Sequence, residues 1–180
     1  MTERIALIGL RGTGKTTVGR LVAEGLGWLF VDVDEVIEGW VGKSVADLFR
    51  DEGEQGFRDR ETIALMELCN GPGLRVVATG GGAVLRPGNR KLLSHCRLVA
   101  WLTAPPAVLW ERLQADPATA ARRPNLTAAG GRAEVEALLA TRQPLYRETA
   151  THTFDTSGQS PADVAAAILR EWHRSGERPV

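Results

Sequence analysis

The sequence lacks several features that would point to particular classes of protein. It has equal numbers of acidic and basic residues, 22 of each, so its charge gives no argument for nucleic acid or a membrane surface as the main partner. Its only two cysteines, Cys69 and Cys96, fit neither a disulfide framework nor a metal motif, and we expect buried thiols in a reducing compartment. The three scattered histidines form no metal cluster.

Long hydrophobic runs and a signal-peptide pattern are also absent. No apolar run has the length of a membrane span, and the N-terminal residues do not combine a basic segment with an apolar one. We therefore predict a cytoplasmic protein with neither a membrane nor a nucleic acid as partner. A length of 180 residues predicts one domain, 1–180, that is large enough to bury a substantial core.

The stretch from Gly9 to Thr17 satisfies the pattern G-x-x-x-x-G-K-[ST]. An apolar run leads into it and a helical pattern follows, which is the strand–loop–helix context of a phosphate-binding loop. Backbone N–H groups and the helix N-terminus would surround the phosphates, Lys15 would add a mobile charge, and the Thr16 hydroxyl would ligate Mg²⁺. The predicted nucleotide-binding residues of the loop are Gly12, Thr13, Gly14, Lys15, Thr16 and Thr17. The guanine-specific Asn-Lys-x-Asp element is missing, which argues against a GTPase switch.

Strand and helix patterns alternate along the chain, which predicts an α/β fold with a parallel sheet. The predicted strands are Arg4–Ile8, Trp28–Val33, Arg75–Ala78, Leu98–Leu102 and His152–Phe154. Between the second and third strands the chain is helical from Glu35 to about Asn70, with breaks at 39–43 and near Gly53. This is more chain than a crossover needs, so we expect about residues 34–61 to build a substrate site.

Asp32 and Asp34 follow the second strand, at the edge where ligands of parallel sheets bind. If the segment is extended, both carboxylates point toward the phosphate loop. Asp32 would then hold Mg²⁺ with Thr16, directly or through water, and Asp34 would orient or deprotonate an acceptor hydroxyl. The alternative is that Asp34 caps a helix that starts near Glu35.

Three glycines and two arginines are candidates for binding the acceptor. Gly80, Gly81 and Gly82 follow the third strand, and three glycines favour contact with a ligand over a tight turn, which would need one or two. Arg58 and Arg142 have side chains suited to a bidentate grip on a carboxylate, although the alternative for Arg58 is a solvated arginine. The set suits a small, polyhydroxylated acceptor that carries a carboxylate.

Residues 115–130 are small, polar and basic, and a loop of this length in a compact domain is commonly a lid. Arg123 in this loop is the candidate for bringing positive charge to the phosphates as the lid closes. A helix is predicted over Glu134–Thr149, and Pro144 should end or kink it just after Arg142.

Taken together, these segments resemble the shikimate kinase family. The resemblance extends from about Ile5 to Trp172. The matching segments are residues 9–19, 32–34, 37–38, 42–49, 53–58, 61, 80–84, 123–124 and 142–147. The phosphate loop alone would be unspecific, whereas its combination with Asp-Val-Asp, Phe-Arg after Gly-Glu, the triple glycine and Arg-Gln-Pro-Leu-Tyr is highly specific.

The resemblance implies a three-layer α/β/α P-loop kinase fold with a five-stranded parallel sheet. It implies a monomer that transfers the γ-phosphate of ATP, with Mg²⁺, to the 3-hydroxyl of shikimate, on the way to chorismate and the aromatic amino acids. The shikimate ligands that it implies are Asp34, Arg58, Gly81 and Arg142, with Gly80 and Gly82 beside them and Glu61 positioning Arg58. On the nucleotide side it implies Lys15 and Arg123 at the phosphates, Arg112 against the adenine, and Gln159 in a late adenine-site loop where the family varies.

Two alternatives stay open at this point. One is a kinase of the same fold that acts on another small polyhydroxy acid such as gluconate, and the other is a catalytically silent nucleotide-binding module. The lid also departs from the commonest family form, since it has Arg-Arg-Pro-Asn-Leu-Thr at 122–127 where Arg-Pro-Leu-Leu is usual.

Overall fold

The computed structural model of the chain describes residues 2–116 and 131–176. Strands and helices alternate through both parts. Their bounds, in chain order, are β1 Thr2–Ile8, α1 Lys15–Leu26, β2 Leu29–Asp32, α2 Val33–Val41, α3 Val45–Asn70, β3 Arg75–Ala78, α4 Pro87–Leu93, β4 Cys96–Thr103, α5 Pro106–Ala115, α6 Gly131–Thr149, β5 His152–Asp155 and α7 Pro161–Gly176. A short 3₁₀ turn, Ala83–Leu85, follows the triple glycine.

The five strands form one parallel sheet in the order β2-β3-β1-β4-β5. β1 is the central strand, where Ala6 pairs with Val77 of β3 on one side and with Val99 of β4 on the other. Such strands are covered on both faces, which explains why the three central strands are almost continuously apolar. The predicted α/β fold with five parallel strands is confirmed.

Alternate residues of the central strands pack into two separate cores, one on each face of the sheet. Ala6 and Ile8 face a core that the helices α2, α3, α4 and α6 complete, whereas Ile5 and Leu7 face a core completed by α1 and α7. The result is three layers, helices on sheet on helices. Within the residues described above, no helix is long and apolar enough to cross a lipid bilayer.

The long helical insertion has the breaks that its sequence predicts. The Ser44 side chain accepts a hydrogen bond from the Asp47 amide and so caps α3, and Gly53 interrupts that helix with a left-handed φ of 72°. The cysteines are also as expected, because Cys69 and Cys96 are buried free thiols whose sulfur atoms lie 3.9 Å apart.

Pro144 was predicted to end or kink its helix, and the first of these two outcomes is wrong. α6 continues through Pro144 to Thr149. A proline inside a helix costs about 3 kcal/mol, because its ring clashes with the preceding turn and one backbone hydrogen bond is lost. Tyr146, two residues after the proline, is fully buried and stacks on Trp101 of the sheet. The free energy gained by burying this aromatic ring offsets the cost of the proline.

Candidate active site

The phosphate loop lies between the end of β1 at Ile8 and the start of α1 at Lys15. Glycine is required at two of its positions. Gly14 precedes the helix with a φ of 86°, and a Cβ on Gly9 would lie 2.3 Å from the Leu102 carbonyl oxygen. The loop therefore wraps in front of a helix N-terminus, the arrangement that binds phosphate through backbone N–H groups.

Two side chains of the loop donate hydrogen bonds within it. The Lys15 ammonium group donates to the carbonyl oxygens of Gly9 at 2.8 Å and Leu10 at 2.9 Å, so it lies across the loop. The buried Thr13 hydroxyl donates to the Leu10 carbonyl at 2.8 Å. The side chain of Thr13 therefore stabilises the loop, which leaves its backbone as the part suited to a nucleotide.

Thr16 and Asp32 meet at the start of the two helices α1 and α2. The Thr16 hydroxyl donates to Asp32 Oδ2 at 2.9 Å. Burial, and then the negative charge of Asp34, raise the pKa of Asp32 above its usual value. A cation at this position would favour the ionised carboxylate, and the hydroxyl and carboxylate oxygens are the hard ligands that Mg²⁺ prefers. These residues fit a magnesium ion.

In the two described parts of the chain, no group of three or more histidine, cysteine, aspartate or glutamate residues could hold a metal ion. Mg²⁺ at nucleotide sites keeps several waters and takes phosphate oxygens as ligands, so one hydroxyl and one carboxylate suffice there.

The conformation expected of Asp34 is wrong, although its location is right. The backbone does not stay extended past Asp32, because α2 begins at Val33 and Asp34 lies in its first turn. Asp32, not Asp34, caps this helix, since its Oδ1 accepts from the Asp34 amide at 3.0 Å. Asp34 therefore lies in the first turn of α2, where an acidic side chain interacts favourably with the helix dipole.

One cleft of about 300 Å³ joins the phosphate loop to Asp34 and the triple glycine. Its lining residues are Arg11, Gly12, Gly14, Lys15, Thr16, Thr17, Asp32, Asp34, Glu35, Glu38, Val45, Thr79, Gly80, Gly81, Arg112, Leu113 and Asp116. Arg58, Glu61, Gly82 and Arg142 are outside this lining. They form a buried cluster beside the cleft, in which Gly82 directly follows the cleft residue Gly81.

Arg58 is not a solvated arginine. Its side chain, on α3, is buried and donates to Glu61 Oε2 at 2.7 Å and to Glu54 Oε1 at 3.2 Å. Burial opposes its charge, but the carboxylates of Glu61 and Glu54 hold the pKa of Arg58 above its usual value. A Cβ on Gly82 would lie 2.1 Å from Arg58 Nη2, so glycine at this position makes room for the guanidinium.

Arg142, on α6, is 6% exposed and packs beside Tyr146 and Arg58. Burial lowers the pKa of Arg142, the interaction with Tyr146 opposes this, and the positive charge of Arg58 adds to it. Across the described residues, no carboxylate forms an ion pair with Arg142. A buried cation beside a second cation, with no anion bonded to it, is an electrostatic site for an anionic ligand.

Tyr146 connects Arg142 to the triple glycine. Its buried hydroxyl donates to the Gly81 carbonyl, and burial raises the pKa of Tyr146 to about 12. Tyr146 lies in the motif at 142–147 but was given no role in the sequence prediction. The spacing of four residues from Arg142 puts both side chains on one helix face, which was the available signal.

Of the predicted adenine-side residues, Arg112 lines the cleft and Gln159 does not. The Arg112 guanidinium donates to the Thr156 hydroxyl at 2.8 Å and to the Thr156 carbonyl at 2.6 Å. The exposed Gln159 amide donates to the Asp155 carbonyl at 2.7 Å. Arg123, and the lid that was predicted over 115–130 except its first two residues, lie outside the described residues.

A contact that the sequence prediction missed joins the phosphate loop to α6. Arg11 of the loop forms an ion pair with Glu134, which lies in the first turn of that helix and is fully buried. Arg11 occupies a variable position of the phosphate-loop motif, and Glu134 comes 123 residues later. No local pattern could have paired these two residues.

Comparisons with known proteins point to one family. The family model described as shikimate kinase matches residues 11–173. A curated shikimate kinase of Oleidesulfovibrio alaskensis is 47% identical over 93% of this chain and 96% of its own length. A solved shikimate kinase from Acinetobacter baumannii, in complex with shikimate, is 38% identical and superposes with a TM-score of 0.90 over 99% of this chain and 97% of that one.

A gluconokinase from Sinorhizobium meliloti is also similar in structure. Its TM-score is 0.55 and its sequence identity is 21%, over 95% of this chain and 91% of that chain. At that identity the likeness concerns the fold alone. The gluconate alternative therefore gains no support from it.

Proposed function

The chain belongs to the shikimate kinase family, and we propose that it transfers the γ-phosphate of ATP to the 3-hydroxyl of shikimate, giving shikimate 3-phosphate. It is an ATP-dependent kinase that phosphorylates shikimate, a step of aromatic amino acid biosynthesis.

The choice of acceptor rests on the environment of Arg142. Its guanidinium is buried next to Arg58, and Arg58 is neutralised by Glu61 and Glu54 whereas Arg142 is not paired with a carboxylate of the described residues. The carboxylate of shikimate would supply the missing negative charge. The two arginines would then hold the carboxylate, with Glu61 positioning Arg58 and the glycines 80–82 allowing close approach of the ring.

On the donor side, the backbone of the phosphate loop and the ammonium group of Lys15 would hold the β- and γ-phosphates. Thr16 and Asp32 would hold Mg²⁺, which when bound neutralises charge on the phosphate oxygens. Arg112 would lie against the adenine. From the motif at 123–124, we propose that Arg123 reaches the phosphates. From its place in the late adenine-site loop, we propose that Gln159 contributes to nucleotide binding.

Asp34 is the residue proposed to act on the acceptor hydroxyl. Its carboxylate lines the same cleft as the phosphate loop and Gly81. In that position it would accept a hydrogen bond from the 3-hydroxyl and orient its oxygen toward the γ-phosphate, or take its proton as the new bond forms. Catalysis by Asp34, Lys15 and Arg123 would thus be mainly positioning and charge neutralisation.

For the whole protein we propose a single domain over 1–180, with about residues 34–61 as the shikimate-binding region. The net charge of zero supports the proposal that nucleic acid is not a partner. The family resemblance supports a monomer in the cytoplasm, without a membrane partner.

The test is a coupled assay of ADP release with ATP, Mg²⁺ and either shikimate or gluconate. We expect turnover with shikimate and little with gluconate, and the product should carry phosphate on the 3-hydroxyl by ³¹P and ¹H NMR. Faster turnover of gluconate would overturn the acceptor. ATP binding without turnover of either acid would instead favour the silent nucleotide-binding module.

A further inference from the structure

Helix α6 is in contact with both halves of the cleft, the phosphate loop at 9–17 and the acceptor residues around Gly81. Near its start, Glu134 pairs with Arg11 of the phosphate loop. Near its other end, Tyr146 donates to the Gly81 carbonyl beside Arg142. Twelve residues of helix separate the two contacts, about 18 Å at roughly 1.5 Å per residue.

The Arg11–Glu134 pair is buried where the two halves meet. Glu134 is 0% exposed and the Arg11 side chain 14%, so the pair is shielded from water and salt. Arg11 also lines the cleft, and a Cβ on Gly81 would lie 3.4 Å from its backbone nitrogen. The phosphate loop is therefore next to the triple glycine at Arg11, the residue that pairs with Glu134.

We propose that Glu134 is a positioning residue for phosphoryl transfer. Through Arg11, it holds the phosphate loop at a fixed distance from the bound acceptor, whose own position is set by Tyr146 and Arg142. This inference rests on the proposed function. Transfer between two bound substrates depends on the separation of their reacting atoms, and a misplacement of about 1 Å can cost about 100-fold in rate. Each substrate would still bind its own half.

The pair that tests this idea is Glu134→Gln and Glu136→Gln. Both substitutions remove one carboxylate from the same helix, but Glu136 is exposed and pairs with Arg132 on the surface. For each variant we would measure kcat, both KM values, the affinity for ADP and for shikimate by calorimetry, and Tm. The double variant R11M/E134Q completes the series, because it removes both charges of the buried pair.

We expect Glu134→Gln to lower kcat about tenfold or more, with both affinities within about threefold of the wild type. Glu136→Gln should match the wild type throughout. R11M/E134Q should have a higher Tm than Glu134→Gln, because no single buried charge is left over, yet its kcat should stay low. If Glu134→Gln does not fold, kcat is measured in the folded R11M/E134Q variant instead, and we expect it to be low there as well.

Two results would overturn the inference. One is a wild-type kcat in Glu134→Gln, and the other is recovery of kcat together with Tm in R11M/E134Q, which would make the pair a matter of stability alone. A wild-type protein that leaves shikimate unphosphorylated would instead overturn the proposed function, so the two failures are distinguishable.

Discussion

The phosphate loop and the acceptor site are built in different ways, although they share one cleft. The phosphate loop is a continuous segment, residues 9–17, that acts mainly through its backbone and the start of α1. The proposed acceptor residues Asp34, Arg58, Gly81 and Arg142 come from four separate segments of the chain. All of them except Gly81 would contribute side chains. A backbone site can be encoded locally, whereas a side-chain site depends on packing throughout the fold.

The charges of the two regions differ as well. Lys15 is only half-buried, and its ammonium group donates to the carbonyl oxygens of Gly9 and Leu10. Arg58 and Arg142 are 5% and 6% exposed, so their charges depend on the protein and on the ligand for compensation. Substitutions should therefore change catalysis and stability in different proportions in the two regions.

The largest effect on catalysis is expected for Asp34→Asn, at the junction of the two regions. We expect kcat to fall at least about 100-fold, because the amide neither accepts the hydroxyl proton nor orients it as a carboxylate does. ADP affinity, a property of the phosphate loop, should change less than about threefold. The control is Glu35→Gln, the next residue in the same turn, which also lines the cleft but pairs with the exposed Arg20. Equal turnover in both variants would remove Asp34 from the chemistry.

Arg58→Met should damage both acceptor binding and stability. The KM for shikimate should rise about tenfold or more, because a charge-assisted hydrogen bond to its carboxylate is lost. The substitution also removes the cation that balances the buried carboxylate of Glu61. Removal of one partner of a buried ion pair lowers the free energy of unfolding by about 3–5 kcal/mol. Thermal unfolding should show the loss, and R58M/E61Q should recover most of it. An unaltered KM for shikimate would contradict the assigned role.

Arg142→Met should damage acceptor binding alone. Because Arg142 is a buried cation beside Arg58, its removal should leave Tm unchanged or raise it. The KM for shikimate should rise about 10–100-fold, and the preference of the enzyme for shikimate over its methyl ester should largely disappear. A large drop in Tm with the preference retained would show that Arg142 serves the fold and not the carboxylate.

The smallest effect on stability is expected for Asp32→Asn, and it should depend on pH. The folded state raises the pKa of Asp32, so it binds the proton more tightly than the unfolded chain does. The stability that this group contributes is therefore present at low pH and lost as pH rises through its folded-state pKa. At pH 7 the variant should melt about 2–4 °C higher than the wild type, since asparagine keeps the helix cap.

That difference in Tm should disappear as pH falls toward the usual aspartate range, and adding Mg²⁺ with ADP should narrow it by stabilising the wild-type carboxylate. Melting curves from pH 4 to pH 8 give the comparison. A variant that is less stable at every pH would show that the charge of Asp32 is not disfavoured in the fold.

The sequence was sufficient for the parts of the site that depend on local patterns. Gly9 to Thr17 predicted the phosphate loop because a strand, a glycine-rich turn and a helix start are all local. Asp34 was assigned to the correct cleft but in the wrong conformation. The helix begins two residues earlier than expected, because the Asp32 carboxylate caps it by accepting from the Asp34 amide.

Other features depend on contacts between distant residues and were not predictable in this way. Nothing near Glu134 in the sequence indicates that its partner is Arg11, and nothing near Gly82 indicates that Arg58 occupies the space of its missing side chain. Pro144 was expected to end or kink a helix, because its local cost is clear. The burial of Tyr146, which offsets this cost, is a property of the assembled core.

The central position of β1 has a consequence for synthesis of the chain on the ribosome. Ile5 pairs with Val76 of β3 and Leu98 of β4, so β1 acquires both neighbours only after β4 has emerged. The carbonyl oxygen of Leu102, at the end of β4, also packs against Gly9. The nucleotide-binding segment is thus among the first to be translated, but the strand that leads into it gains its second neighbour only after β4 has emerged.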